Sequence, residues 1–164
     1  MKMKTLLGLM VGAVLAVSAG AVWAAPDLVP GPIGSTAQWS VQFFLEPNHA
    51  VGSTQCIVFR KTGGVVGEPN SGTWFSPSFA GWHGQWTQEG DHVRWYGSTS
   101  TRLATAEFGA LISAFLCTGE FAHFVTPSGV TSTAGSWLMI KRNCANDSVT
   151  AHGMTGAGDP AQTD

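Results

Sequence analysis

Two glutamates, Glu107 and Glu120, interrupt apolar segments of the chain and are its best candidates for acid–base chemistry. If these segments pair as a hairpin that turns midway between them, the two side chains face each other across the strand pair. Two carboxylates so placed would supply an acid and a base, because each raises the pKa of the other. A simpler interpretation, which we favour, places both on the solvent face with Thr105 and Thr118, where Arg94 screens them.

Other catalytic and metal-binding patterns are missing from the sequence. No Gly-x-Ser-x-Gly elbow occurs, and the histidines are scattered along the chain. Cys117 and His123 share a predicted strand face, but a spacing of six residues separates them by about 20 Å, too far for a nucleophile and its base. No His-x-His, His-x-x-x-His or Cys-x-x-Cys spacing is present. The sequence therefore predicts a protein that is not an enzyme and holds no metal or cofactor.

The residues best suited to binding a guest are aromatic. Apart from Trp23, every tryptophan lies between positions 39 and 137, interspersed with glycines. On the predicted alternation, most of these indoles point with apolar residues toward one interior, where small residues such as Gly84 and Gly119 stand opposite them. Such pairing means either interlocked packing that leaves no space or a pocket whose indole N–H groups serve a ligand. The candidate ligand-binding residues are Trp39, Trp74, Trp82, Trp86, Trp95, Phe108 and Phe121.

Period-two alternation places these rings on strands. Trp39, Val41 and Phe43 share one face of the first strand, and the residues between them belong to the other. Further short runs follow, separated by turn sequences such as Glu89-Gly90-Asp91. The pattern predicts an all-β, single-domain antiparallel meander of about eight strands, which closes into a lipocalin-like barrel to remove its edges. We divide the chain into a signal peptide at 1–24, an extended lead-in at 25–35, the barrel at 36–144 and a disordered polar tail at 145–164.

A short motif supports the barrel. The triplet Gly72-Thr73-Trp74, together with Arg142 after the last predicted strand, resembles the lipocalin pattern, in which a Gly-x-Trp strand meets a late arginine. In lipocalins the triplet opens the first strand, whereas two predicted strands precede it here. The resemblance implies a shared architecture and no kinship. A barrel of this size holds either side chains alone or one small ligand.

The first 24 residues predict a bacterial-type secretory signal helix. Lys2 and Lys4 precede an uncharged apolar stretch, and small residues surround a cleavage point after Ala24. An uncleaved membrane anchor is the alternative, since the apolar stretch is nearly long enough to span a bilayer. No cysteine precedes Cys56, so none is available for lipid attachment at the cleavage point. We predict a soluble product, secreted or periplasmic, that is not a lipoprotein and has no membrane span after cleavage.

Charge and cysteine content agree with an exported protein. Loss of the leader leaves six basic and ten acidic side chains, which excludes nucleic acid as a partner because no basic stripe remains. Cys56, Cys117 and Cys144 are an odd number of thiols in an oxidising compartment. Because Cys117 falls in an apolar strand, we predict that it is buried and that Cys56 pairs with Cys144; three reduced thiols are the alternative.

These observations predict a secreted or periplasmic, non-catalytic barrel that binds a small hydrophobic or aromatic molecule through its tryptophan-rich interior. One alternative is a cell-envelope structural module, or a protein or glycan interaction module, which has a fully packed core and exposes some of its indoles. A second alternative is a small hydrolase or isomerase that uses Glu107 and Glu120.

Overall fold

A computed structural model describes residues 25–64, 68–99, 103–126 and 128–145. Its strands form one closed antiparallel barrel in which consecutive strands are neighbours and the last pairs with the first. The strands are β1 (Thr36–Leu45), β2 (Ala50–Gly63), β3 (Asn70–Phe75), β4 (His83–Glu89), β5 (His92–Ser98), β6 (Leu103–Ser113), β7 (Leu116–Val125) and β8 (Val130–Lys141). The predicted all-β, eight-stranded meander is confirmed. The predicted signal peptide, and the predicted tail beyond Ala145, lie outside the described residues, among which no helix is long and apolar enough to cross a membrane.

Side-chain alternation explains why these segments are strands. In β5, Val93 and Trp95 are buried while Arg94 and Tyr96 are exposed, the pattern of a sheet with one face in the core. The predicted hairpin between β4 and β5 is present, and Gly90 at its turn has φ 60°. A residue with a side chain is strained in that region, which accounts for glycine at this position.

The lead-in closes one end of the barrel. We call the end where β1 begins and β8 ends the lower end, and the opposite end the upper end. Leu28 and Val29 are fully buried and belong to the hydrophobic core. The backbone N–H of Leu28 donates to Gln88 Oε1 at 2.8 Å, and the indole N–H of Trp39 donates to Leu28 O at 3.2 Å. The segment 25–35 is therefore part of the core as well as an approach to β1.

A disulfide fastens the end of the chain to the outside of the barrel. Cys56 on β2 is bonded to Cys144, three residues beyond β8, and Cys117 is free and buried. Both cysteine predictions are confirmed. The amide of Gln38 adds to this contact, because its Oε1 accepts from the backbone N–H of Cys144 at 2.9 Å. A disulfide is compatible with an extracytoplasmic location.

The orientation of β6 differs from the prediction. Glu107 pairs with Phe121, and Phe108 pairs with Glu120. Glu107 points inward and is 2% exposed, Glu120 is exposed on the outer face, and Phe108 is 57% exposed. The predicted facing of the two glutamates, their shared solvent face and the inward placement of Phe108 are therefore wrong. The hairpin pairs Leu111 with Cys117, which places Glu107 opposite Phe121, and Glu107 shares the inward face of β6 with Thr105 and Leu111.

Candidate functional site

Indoles fill much of the barrel interior. Trp39, Trp74, Trp86, Trp95 and Trp137 are each at most 2% exposed. The Trp95 ring lies 4.5 Å from Trp137 and 5.4 Å from Phe59, measured between centroids. Rings at these distances and tilts pack with the density of a protein core.

Glycines on neighbouring strands make room for these indoles. A Cβ added at Gly109 or Gly119 would lie 2.4 or 2.5 Å from ring carbons of Trp137. One added at Gly84 would lie 2.7 Å from Nε1 of Trp74. Such distances are far below van der Waals contact, so each ring rests directly on the backbone of a glycine. For Trp74 and Trp137, the glycines make room for the rings, as in the packing alternative drawn from the sequence.

The buried indoles also have no free N–H group. The acceptors are Leu28 O for Trp39, Tyr96 O for Trp74, Arg60 O for Trp86, Glu120 O for Trp137 and the side chain of Glu107 for Trp95. The four bonds to backbone carbonyls are 3.0–3.2 Å long. An indole that donates to its own protein cannot orient a guest without breaking that bond. These five residues therefore form the floor and walls of the interior, and their polar groups are already used.

A second group of interior side chains is polar. We call it the polar cluster; its members are Ser53, Gln55, Thr105, Glu107 and His123, each at most 5% exposed. They line the interior from the middle of the barrel toward the upper end: Gln55 pairs with Val41 at the middle of β1, and Thr105 pairs with His123 near the upper ends of β6 and β7. β2 and β6 stand four strands apart in a ring of eight. Ser53 and Gln55 therefore lie on the opposite wall from Thr105 and Glu107.

Most of the polar cluster has unused hydrogen-bonding capacity. Among the described residues no partner contacts Ser53 Oγ, either polar atom of the Gln55 amide, Glu107 Oε2 or His123 Nε2. Buried polar groups in folded proteins are nearly always paired, because an unpaired one costs about 1–3 kcal/mol. Five such atoms in one part of the barrel make the polar cluster the candidate functional site.

Burial favours the uncharged form of the Glu107 carboxyl. Thr105 Oγ1 donates to Glu107 Oε1, and the Trp95 indole also bonds this carboxyl. Burial raises the pKa of Glu107 well above its ordinary value, and the two hydrogen bonds only partly oppose this effect. The proton-bearing carboxyl then offers Oε2, the atom without a partner, as a hydrogen-bond donor.

His123 is the second titratable member of the cluster. Burial lowers its pKa to about 4, because the charged imidazolium is poorly solvated in the interior. The ring lies 5.7 Å from Trp82 and 5.1 Å from Phe121, between centroids. His123 is therefore a neutral ring at neutral pH, and its Nε2 faces the interior as either a donor or an acceptor.

Trp82 covers this region from the loop between β3 and β4. It is partly buried against the core and stacks on Phe79 at 4.9 Å between centroids. The backbone N–H of Ser76 donates to Trp82 O at 3.0 Å, which closes the loop at its base. The indole thus lies at the upper end, edge to face with His123.

The structure separates the predicted ligand-binding residues into three groups. Trp39, Trp74, Trp86 and Trp95 belong to the packed floor and walls, and Phe108 is outside. Trp82 and Phe121 contact the polar cluster through His123, and Trp95 contacts it through its hydrogen bond to Glu107. Sequence reasoning missed Trp137, which alternates with Gly135 and Met139 on β8 as a core residue would. It also missed Ser53 and Gln55, since polar residues on an alternating strand are ordinarily assigned to solvent.

Two further features bear on the sequence predictions. At the lower end, Lys141 Nζ lies 5.8 Å from the centroid of the Trp39 ring. A cleft of about 370 Å³ lies at the lower rim beside Asp27, Glu68 and Glu89, and none of the indoles that the structure describes lines it. This cleft is thus separate from the aromatic interior.

The fold and the interior define a class: a closed eight-stranded meander barrel with an aromatic floor and a buried polar cluster near one end. No family model, curated protein or solved structure matches this chain.

Proposed function

We propose that this protein is an exported, non-catalytic barrel that binds a small aromatic molecule in the upper half of its interior, between the polar cluster and Trp82. The observation that carries the proposal is the set of five buried polar atoms without partners. A bound molecule that supplies those partners recovers the cost of burying them.

Aromatic rings make a flat guest the best fit. Phe43 and Phe121 are 5.0 Å apart, Phe121 is 5.1 Å from His123, and His123 is 5.7 Å from Trp82. These distances join ring centroids and describe a continuous aromatic wall beside the polar atoms. A planar molecule can stack on or abut such a wall while its edge reaches the polar groups.

Export is supported by two independent observations. The disulfide between Cys56 and Cys144 requires an oxidising compartment to form and persist. The first 24 residues of the sequence have the charged, apolar and small-residue segments of a secretory signal. We propose a periplasmic or secreted location.

A binding experiment with matched variants tests the function. The mature protein is titrated by calorimetry and by NMR with a panel of fatty acids, monocyclic and bicyclic aromatics and haem-like compounds. We expect saturable 1:1 binding of an aromatic member, with shifts of the Gln55 and His123 side-chain signals. Trp82→Phe should weaken binding, whereas Trp86→Phe, in the packed floor, should leave it unchanged in the folded fraction.

The same experiment decides the main alternative, a structural or interaction module with a filled core. The interlocked indoles and glycines favour that alternative for most of the interior. If no panel member binds, and ordered waters alone are found against the five polar atoms, the binding proposal is wrong and the filled-core module remains. The hydrolase or isomerase that uses Glu107 with Glu120 is not proposed, because these side chains lie on opposite faces of the sheet.

A further inference from the structure

The Gln55 side chain offers a complete amide for recognition. It is 3% exposed, and neither Oε1 nor Nε2 has a partner among the described residues. A primary amide presents one acceptor oxygen and a donor nitrogen side by side. Its full complement is another amide edge, which returns an N–H to the oxygen and a carbonyl to the nitrogen through two parallel hydrogen bonds.

The opposite wall supplies a matching set of neutral groups. Glu107 Oε2 and His123 Nε2 are both without partners and lie on β6 and β7, across the barrel from Gln55. Ser53 Oγ, near Gln55 on β2, can donate or accept. A ligand held between the two walls therefore meets hydrogen-bonding groups on both sides of its ring.

The surroundings disfavour a charged ligand. The buried or half-buried lysines, Lys61 and Lys141, belong to the lower end of the barrel, so the described part of the upper interior has no cation to pair with an anion. A cationic ligand would need Glu107 to give up its proton, which burial opposes. Burying an unpaired charge is far more costly than burying a neutral polar group.

We propose that the ligand is a neutral, planar heterocycle whose edge carries an adjacent N–H donor and carbonyl acceptor, as in a lactam or a cyclic urea, with that edge bound to the Gln55 amide. This inference rests on the proposed function and narrows it. Trp82 and Phe121 then contact the ring, while Glu107, His123 and Ser53 contact polar atoms elsewhere on it.

Four small probes test this chemistry against the mature protein with its disulfide intact. Benzimidazol-2-one carries the amide edge on a bicyclic frame, and indane has the same frame without polar atoms. Benzoate and benzamidinium carry a negative and a positive charge on an aromatic ring. We expect benzimidazol-2-one to bind on the order of tenfold or more tighter than indane, because a site built to hydrogen-bond a ligand rejects the analogue that lacks those groups. Neither charged probe should bind measurably at the same concentrations.

Two variants test whether the Gln55 amide causes this difference in affinity. Gln55→Leu removes the recognition groups and leaves an apolar side chain of similar size, which a buried position accepts. It should bring the affinity ratio of benzimidazol-2-one to indane close to one. Gln85→Leu, on the exposed face of β4, is the matched control and should keep the ratio of the unmodified protein.

The outcomes separate this inference from the proposed function. Two results would overturn the recognition of an amide edge by Gln55: indane binding as tightly as benzimidazol-2-one, or an affinity ratio that Gln55→Leu leaves unchanged. The proposed function, an aromatic-binding barrel, would remain. Tightest binding of benzoate or benzamidinium would overturn the neutral ligand. If none of the four probes binds and the wider panel also fails, the proposed function itself is overturned.

Discussion

At the scale of single residues, the pairing of indole with glycine determines how the interior is filled. A large flat ring on one strand rests on the bare backbone of the next, and its N–H reaches a carbonyl: Trp86, for example, lies over Gly72 and donates to Arg60 O at 3.2 Å. The ring gains contact area while its one polar group stays paired. Each glycine is therefore needed for its lack of a side chain.

Gly119→Ala tests this dependence. The new Cβ would lie 2.5 Å from Trp137 Cζ2 and 2.1 Å from Phe108 O, so the ring and the strand must both move. We expect the free energy of unfolding to fall by about 2 kcal/mol or more, in the upper range for overpacked cores. Urea unfolding measures the loss. Glu120→Ala, the exposed neighbour on the same strand, is the control and should change stability by less than about 0.5 kcal/mol.

Glu107 gives a pH-dependent prediction whose sign follows from its raised pKa. As pH rises above about 4.3, the unfolded chain releases this proton while the folded protein keeps it. The contribution of Glu107 to stability is thus greatest at low pH and falls by up to about 1.4 kcal/mol per pH unit until pH passes the folded pKa. Glu107→Gln should remove that fall.

Urea unfolding of both proteins at several pH values between 4 and 8 measures the difference in slope. The stability gained by Glu107→Gln relative to the unmodified protein should grow as pH rises. Glu120→Gln, on the outer face, should not reproduce this growth. A constant difference between Glu107→Gln and the unmodified protein across the range would contradict a proton-bearing Glu107 in the folded state.

At the scale of elements, the inward face of a strand could be predicted from the sequence where its inward residues are apolar. It could not be predicted where they are polar. In β1 the inward residues Trp39, Val41 and Phe43 are all apolar and buried, so period-two alternation gave the face correctly. In β6 the inward residues include Thr105 and Glu107, which a rule that puts apolar residues inside must assign to solvent. The error therefore falls on the residues of the candidate site.

The lead-in shows another limit of local patterns. Prolines and glycines on both sides of Leu28 and Val29 predict irregular backbone, and the structure agrees. No local signal says that this irregular segment closes the barrel. That role depends on Gln88, 60 residues from Leu28. Its side-chain amide accepts a hydrogen bond from the Leu28 N–H and donates one to Pro26 O at 2.7 Å.

Leu28→Ala tests the closing role of the lead-in. Leu28 is fully buried in the core cluster, so truncation removes apolar contacts and leaves a cavity. We expect a loss of about 2–4 kcal/mol in the free energy of unfolding, measured by thermal or urea denaturation. Ile33→Ala, in the same segment but 56% exposed, should cost little. Equal effects from the two substitutions would mean that the segment does not pack into the barrel.

At the scale of the whole molecule, closure is what makes a polar cluster compatible with a stable fold. The ring of eight paired strands has no open edge. The five buried indoles form the floor and walls of the interior, the lead-in closes the lower end, and the disulfide fastens the chain to the outer wall. The polar cluster lies in the upper half of the interior, under Trp82. The same division of the molecule predicts which indoles solvent can reach.

Iodide quenching of tryptophan fluorescence in the mature protein measures that accessibility. Trp39, Trp74, Trp86, Trp95 and Trp137 are each at most 2% exposed, whereas Trp82 is only partly buried. We expect iodide to quench a minor fraction of the emission, and Trp82→Phe to remove most of that fraction while Trp86→Phe does not. Because Trp82 covers the proposed site, a bound ligand should protect the same fraction in the unmodified protein. Extensive quenching of Trp82→Phe would mean that the other indoles reach solvent, as the interaction-module alternative requires, and that the interior is not closed.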